Sequence, residues 1–302
     1  MKYMVVIPSL GRISLGDLVD QIKKDERDSG ISVQIFVALN GSIPEDMNLN
    51  QVEILRISDK PVGVATAVNL ALSQIEDGLV WTIADDETWL PGKFRADLLA
   101  ISNLNSNSIL LPSSVFNDEF GESIRPKIPL KYDEKILDYL YAHIHLGRNP
   151  RYISLSGACA LRSTWRNVSF PEGKQTREDI EYLYLQERNG CRFIQSSDIT
   201  VGINVELARG AKREQIALEA ICWANERLTD RQKIGFIGCA WVKPLVYSRN
   251  TVEMRKMKKL VNSRMEFPRL IDRIRVCLLL EYWIIVATIL SAVSRKNRKE
   301  IK

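Results

Sequence analysis

The chain has 302 residues, of which 45% are apolar and 26% charged, with a formal net charge of +5. That composition describes a globular chain of one large or two modest domains. The five cysteines (Cys159, Cys191, Cys222, Cys239 and Cys277) lie far apart with no CxxC pair, which argues against a zinc site or a disulfide framework and suits a reducing compartment. The charge is uneven: residues 249–302 carry 14 Lys/Arg against 5 Asp/Glu, so the tail is strongly basic and the body before it mildly acidic. The tail is therefore the part expected to meet an anionic partner.

The N-terminal apolar run is too short for a signal peptide and reads as a first strand, Tyr3–Ile7, followed by the turn Pro8-Ser-Leu-Gly-Arg12. An amphipathic helix is expected over Ser14–Asp28, a second strand over Val33–Leu39 ending at Asn40-Gly41-Ser42, and a third over Val52–Ile57. Val62–Ile75 has apolar residues at helical spacing. Leu79–Ala84 reads as a strand buried on both faces, belonging in the middle of a parallel sheet. It drops into Asp85, Asp86 and Glu87, which repel one another unless a cation or a positively charged ligand neutralises them. An acidic loop that merely follows a core strand is the plainer alternative. Pro91–Leu104 reads as a helix with proline in its first turn. Alternation of strands and helices with short loops describes a doubly wound α/β sheet, mostly parallel and flanked by helices. Neither GxGxxG after the first strand nor GxxxxGK[ST] occurs, so dinucleotide and P-loop fingerprints are absent.

The second half of the body is expected to hold a strand at Ile109–Pro112, a polar loop over Asn117–Lys131 and a helix over Tyr132–His145. Ile153–Arg162 reads as a strand whose Ser156, Gly157 and Ala158 let a ligand or another backbone come close. A helix opening at Thr176 and running to about Arg188 has acids in its first turn, and Arg192–Ile203 holds one or two strands. From about Val205 the chain becomes helical. Val276–Val293 is an apolar run broken by Glu281 and flanked by basic residues, and it reads as a membrane span, a helix lying on an anionic bilayer, or a helix packed on protein. His143 and His145 are two apart and read as surface histidines. Trp81 reads as core and Trp89 as a candidate for stacking on a sugar ring. Cys159 and Cys191 read as small buried residues.

VVIPSLGR, VALNGS, VGVATAVNLAL, ADDETWLP, SGACALR and the Arg177-Glu-Asp-Ile-Glu181 helix start, in this order, resemble the family 2 glycosyltransferases, inverting enzymes of GT-A fold that use nucleotide-activated sugars. The resemblance covers residues 1–205, with a nucleotide-sugar half to about 112 and an acceptor half after it, and leaves 206–302 as a helical C-terminal extension. It implies that Asp85-Asp86-Glu87 is the DxD motif, with Asp85 and Glu87 holding Mn²⁺ or Mg²⁺ on the donor diphosphate. It further implies that Asp179 is the base that deprotonates the acceptor hydroxyl, with Glu178 its neighbour. Pro8, Gly11, Arg12 and Asn40 would frame the nucleotide pocket, with Gly63 and Asn69 as its floor and Asp85 and Asp86 at the sugar-diphosphate. Arg12 and Lys60 are candidate phosphate contacts.

The sequence departs from the family at Leu39, where an aspartate commonly reads uracil, at Val68, where arginine is common, and at Asn204, near the place of a frequent histidine ligand. The expected activity is transfer of a sugar from a nucleotide sugar to a glycan or lipid-linked acceptor in surface polysaccharide synthesis. The expected location is the cytoplasmic face of the cell membrane, touched peripherally through 269–302. Rival readings are an inactive sugar- or nucleotide-binding module at the membrane and a sugar-nucleotide nucleotidyltransferase, whose phosphate loop PSLGR matches poorly.

Overall fold

The structure is a computed structural model describing all residues except 43–46, 48, 50–51, 58–62, 103–106, 119–120, 144–150, 175–176, 205–210, 239–250, 268, 270–271 and 287–302. Lys60, His145 and residues 287–293 of the apolar run therefore lie outside the described residues. The chain divides into two units, Met1–Ile136 with Arg151–Glu206, and Leu137–Pro150 with Leu207–Lys302.

The first unit is an α/β sheet flanked by helices. Its order of elements is β1 (Tyr3–Ser9), α1 (Ser14–Ser29), β2 (Val33–Leu39), β3 (Glu53–Arg56), α2 (Val64–Gln74), β4 (Leu79–Thr82), β5 (Thr88–Trp89), α3 (Lys93–Ile101), β6 (Ser108–Asp118) and β7 (Gly121–Arg125). After α4 (Ile136–Tyr141), which enters the second unit, come β8 (Ala158–Leu161), α5 (Arg162–Arg166), α6 (Glu178–Arg188) and β9 (Arg192–Asn204). The strand order is β3-β2-β1-β4-β8-β6-β9-β5, with β7 added to β6. The run β3-β2-β1-β4 is parallel, as is β6 with β9, while β8, β5 and β7 run antiparallel to their neighbours.

β1 forms because Met4–Ile7 are apolar without interruption, and all are buried between layers of helices. α1 covers one face with Leu15, Leu18, Val19 and Ile22, spaced for a single helical stripe. It stops at Gly30, whose left-handed backbone (φ 69°) donates its N–H to the carbonyls of Glu26 and Arg27. α2 buries Ala65, Ala67 and Ala71, small enough to bring the helix close to β1 and β2.

Three expectations are corrected. The stretch read as a polar loop, 117–131, begins as the end of β6 and returns as β7, with Ser114 opposite Arg125 and Asp118 opposite Gly121. A hairpin at a sheet edge needs no apolar alternation on its exposed face, so periodicity is silent there. The strand read over Ile153–Arg162 is limited to Ala158–Leu161, because the preceding residues leave the ladder to form a loop. β4 is also not inside a purely parallel sheet: it pairs in parallel with β1 but antiparallel with β8.

In the second unit, α7 (Ala211–Arg227) and α8 (Asp230–Ile237) are joined by a capping box in which Thr229 and Gln232 bond reciprocally. Tyr141, Trp223 and Phe236 pack edge to face or tilted around them. A helix over Thr251–Arg264 is followed by a helical stretch over 272–286, which buries Val276, Leu280, Trp283 and Ile284. Among the described residues no helix is long and apolar enough to cross a membrane.

Candidate active site

Chain order reverses across the sheet between β1 and β4: the chain winds from β1 outward to β3, then returns to the other side of β1. Such a switch point opens a crevice at the carboxyl ends of the two strands. Pro8 helps open it here. Val6 bonds toward β4 through its carbonyl and Ser9 toward β2, so alternation directs the missing N–H of Pro8 to the β4 side, where the ladder ends.

Into this crevice the turn after β1 and the turn after β4 bring their polar residues together. Ser9 Oγ and the Leu10 N–H donate to Oδ2 of Asp85 at 2.7 and 3.0 Å. Gly11, at φ 80°, lets the turn fold back so that its N–H reaches Ser9 Oγ at 2.9 Å. Arg12 Nη1 donates to Asp85 Oδ1 at 3.0 Å and also to Asp86 Oδ2. Asp85 is buried, whereas Arg12 and Asp86 are each nearly half exposed.

Glu87 completes the turn, its N–H bonding the Ala84 carbonyl. Among the described residues its Oε2 is buried without a hydrogen-bond partner. Burial pushes the Glu87 carboxyl well above the usual range, and the charges of Asp86 and Asp85 push it the same way. Asn204, at the end of β9, donates to the Asp86 carbonyl at 3.3 Å, so the residue standing where the family often has a histidine is at the triplet. Asn40, at the end of β2, donates its backbone N–H to Ser9 O and places its amide 3.5 Å from Gly63 O, just before α2. Asn69 is engaged elsewhere: its amide bonds both backbone groups of Phe170 at 2.8–2.9 Å and the Glu172 carboxylate.

The loop 151–157 lies against the end of β4. Ser156 Oγ accepts from the Ala84 N–H and Thr82 Oγ1 donates to Leu155 O, which fasten the loop to the end of β4. Gly157 has φ 78°, and a Cβ there would fall 2.3 Å from Val201 Cγ2, so a side chain would push the loop off β9. The Tyr152 ring meets Phe116 edge to face at 4.7 Å, and Arg125 lies over both rings.

Burial raises the Tyr152 hydroxyl pKa most, the negative charges of Asp179 and Glu87 raise it further, and Arg177 and Arg125 oppose them. One ring thus lies within electrostatic range of both acidic motifs, although 92 positions separate Glu87 from Asp179. Asp179 accepts from the Ile180 N–H at 2.7 Å. Its carboxyl is raised by burial and lowered by Arg177, and burial together with the Asp179 charge raises Glu178. Arg177 precedes α6 with φ 64°, a left-handed backbone that among the described non-glycine residues occurs only here.

Tyr152 and Arg125 had no signal in residue spacing, since each is positioned by a loop or a hairpin end, and Arg177 was visible only as the first residue of the helix-start motif. Trp89, expected as a possible sugar platform, is core instead: it is 1% exposed and donates its ring N–H to the buried Asp25. Trp81, Cys159 and Cys191 are buried as expected.

The side chains as arranged do not fit a divalent ion at Asp85 and Glu87. Both Asp85 oxygens are engaged by Ser9, Leu10 and Arg12, and among the described residues no group of three or more His, Cys, Asp or Glu could hold a metal. Because Glu87 is kept uncharged more readily in the folded chain than unfolded, its ionisation at neutral pH costs stability, and the cost grows as pH rises through its raised pKa. Glu87→Gln is therefore expected to stabilise the fold by about 1 kcal/mol at pH 7.5, with the gain vanishing toward pH 4, measured by urea unfolding at both pH values.

These features define an α/β fold of GT-A type with a polar crevice at its switch point. No protein-family model matches the sequence, and no curated protein does. Solved structures of Staphylococcus aureus TarS do match. One has a TM-score of 0.59 at 14% identity, covering 95% of this chain and 53% of that one, so the chain spans about half its length. The 1–349 piece of TarS has a TM-score of 0.56 at 14% identity, covering 98% of this chain and 92% of that one. The same piece in complex with UDP-GlcNAc gives 0.54 at 15% identity over 95% and 90% of the two chains, and it has also been solved with UDP. At such identity the likeness establishes the fold.

Proposed function

We propose that this protein is an inverting glycosyltransferase of the family 2 kind, taking a sugar from a nucleoside-diphosphate donor to a hydroxyl of a glycan or lipid-linked acceptor, in surface polysaccharide synthesis. The observation that carries the reading is Tyr152, whose hydroxyl feels the negative charges of both Asp179 and Glu87. The fold shared with TarS, solved with UDP-GlcNAc and UDP, supports a nucleotide-sugar donor.

In this reading the donor lies over the carboxyl ends of β1, β2 and β4, framed by Pro8, Gly11, Arg12, Asn40 and Gly63, with its diphosphate toward Arg12. Asp179 accepts the proton of the acceptor hydroxyl as that oxygen forms its bond to the anomeric carbon. The bond from that carbon to the diphosphate oxygen breaks on the opposite face, and the nucleoside diphosphate leaves with the electron pair. Glu178, beside Asp179, shapes the local charge. Arg177 opposes the burial that would keep Asp179 protonated. The Mn²⁺ or Mg²⁺ implied by the resemblance enters no step here, because Arg12 already lies against the carboxylates that would hold it.

The acceptor is read as membrane-linked from the second unit taken alone. Ile274, Leu278, Tyr282 and Ile285 are exposed at helical spacing along the stretch 272–286. Arg255, Lys258 and Lys259 line a depression of about 670 Å³ with Glu281. An apolar stripe beside basic residues suits the surface of an anionic bilayer at the inner face of a cell. The full chain is expected to sediment with vesicles containing phosphatidylglycerol and not with pure phosphatidylcholine, and equal sedimentation with both would remove the electrostatic part of the reading.

The reading is tested by incubating the purified chain with a panel of nucleotide sugars, with and without Mn²⁺, and following nucleoside diphosphate release. Release from at least one donor is expected. Binding without release would identify an inactive module instead, and release of a nucleoside monophosphate or triphosphate would point to a different chemistry.

A further inference from the structure

We propose that the seam between the helix Thr251–Arg264 and the stretch 272–286 binds a single-chain anionic amphiphile. Its aliphatic tail fills an apolar pocket at one end of the seam, and its phosphate head meets a basic depression at the other. The proposal concerns the second unit alone and holds whether or not the chain transfers sugar.

The two segments run antiparallel along the seam. Cys277 Sγ donates to Asn262 Oδ1 at 3.6 Å, and one turn further on Lys258 pairs with Glu281. Glu281, the one charge inside the apolar run of the sequence, therefore faces a lysine. On the other side of Asn262 lies a pocket of about 240 Å³ with Val261, Met265, Phe267 and Val276 in its lining. Val261, Met265 and Val276 are buried, so an aliphatic chain entering there leaves water. The turn that carries Met265 and Phe267 is held from outside. Asn225 of α7 donates to Arg264 O and accepts from the Glu266 N–H, while Lys233 of α8 donates to Glu266 O and lies 5.8 Å from the Phe267 ring centre.

Charge selects the head. Arg273 is the only charged residue lining the pocket, so nothing there repels an anion. Asn262 also lines the depression of about 670 Å³ that holds Arg255, Lys258, Lys259 and Glu281, so the two hollows meet at that residue. Lys258 is taken by Glu281, whereas Arg255 and Lys259 have no ion pair or hydrogen bond among the described residues. Arg255 is two turns from Asn262, about 10 Å, so one small molecule reaches both ends. A bare anion would leave the pocket unused, and a neutral tail would leave the two cations unmatched.

The experiment is a calorimetric titration of the full chain with octyl phosphate below its micelle concentration, with circular dichroism checking each variant's fold. Saturable one-to-one binding is expected, weakening about fourfold for each methylene removed in a series down to butyl phosphate. Inorganic phosphate should show no saturable binding at the same concentrations. Octanol, with the same tail and no charge, should bind about tenfold more weakly than octyl phosphate, and the double variant Arg255→Gln, Lys259→Gln should lose about as much. Cys277→Phe, at a half-buried position of the pocket lining, should weaken octyl phosphate by at least about tenfold. No binding of octyl phosphate overturns the proposal, as does an affinity that ignores chain length or survives removal of both cations. Unchanged affinity in a folded Cys277→Phe puts the tail elsewhere and overturns it too. Should Cys277→Phe fail to fold, Cys277→Met serves with a several-fold loss expected, and no loss counts against the proposal in the same way. No bilayer, sugar or nucleotide enters this titration, so its failure leaves the bilayer and transferase readings to the sedimentation and the donor panel.

Discussion

Asp179→Asn is expected to lower the rate of sugar transfer by about 10³-fold while changing UDP affinity by less than about twofold. Asparagine keeps the size of the side chain and can still accept from the Ile180 N–H, so the start of α6 should not move. What it lacks is the ability to take a proton. The measurement is initial transfer rate with saturating donor and acceptor, beside a calorimetric titration of UDP. Near-normal turnover would remove Asp179 from the mechanism, and a parallel loss of UDP binding would assign it a structural part.

The same carboxyl has a definite pH signature. A base works only when ionised, and burial raises the pKa of Asp179, so the acid limb of the rate profile should lie above the range of an ordinary aspartate. Arg177 opposes the rise. Arg177→Gln should therefore shift the acid limb to still higher pH, and a shift to lower pH would contradict the arrangement.

The second large effect is on stability. Lys93 and Asp97 are both buried one turn apart on α3, their charged atoms 2.7 Å apart. Lys93 Nζ also donates to Thr200 on β9, and Trp81 of β4 donates its ring N–H to the same Asp97 oxygen. This network ties the helix to two strands at once. Lys93→Met is expected to cost about 3–5 kcal/mol, because it leaves a carboxylate buried without its counter-ion. Burial already pushes Asp97 up even with Lys93 present, so the orphaned group would take up a proton more readily still. Adding Asp97→Asn should recover more than half of the loss, since the Trp81 bond survives and no charge remains. Urea unfolding of the three variants measures this, and a cost under about 1 kcal/mol for Lys93→Met would show the pair to be dispensable.

Much of the first unit was legible from local pattern. The stripe Leu15, Leu18, Val19, Ile22 announces α1, and the apolar runs of β1, β2 and β4 need no partner to be recognised as buried. The acidic triplet was legible for a simpler reason: three adjacent carboxylates after a core strand are costly unless something neutralises them. What spacing could not tell was what does so. Arg12 is 73 positions from Asp85, and only the parallel pairing of β1 with β4 brings their ends together. Trp89 illustrates the opposite case, an aromatic residue beside a polar motif that turned inward because Asp25 of α1 offers its ring N–H a buried acceptor.

The sequence by itself determined the alternation of strands and helices from β1 to β4, the burial of those strands and the clustering of acids at Asp85–Glu87 and Glu178–Asp179, because hydrophobic period and charge repulsion act between near neighbours. The tertiary structure alone decided that β8 lies antiparallel beside β4, that Tyr152 lies in range of both acidic clusters, and that Arg12 rests on Asp85 and Asp86. Those arrangements depend on which strand edges meet and on how loops are fastened across them. Such choices are made by packing between distant segments, and no local period records them.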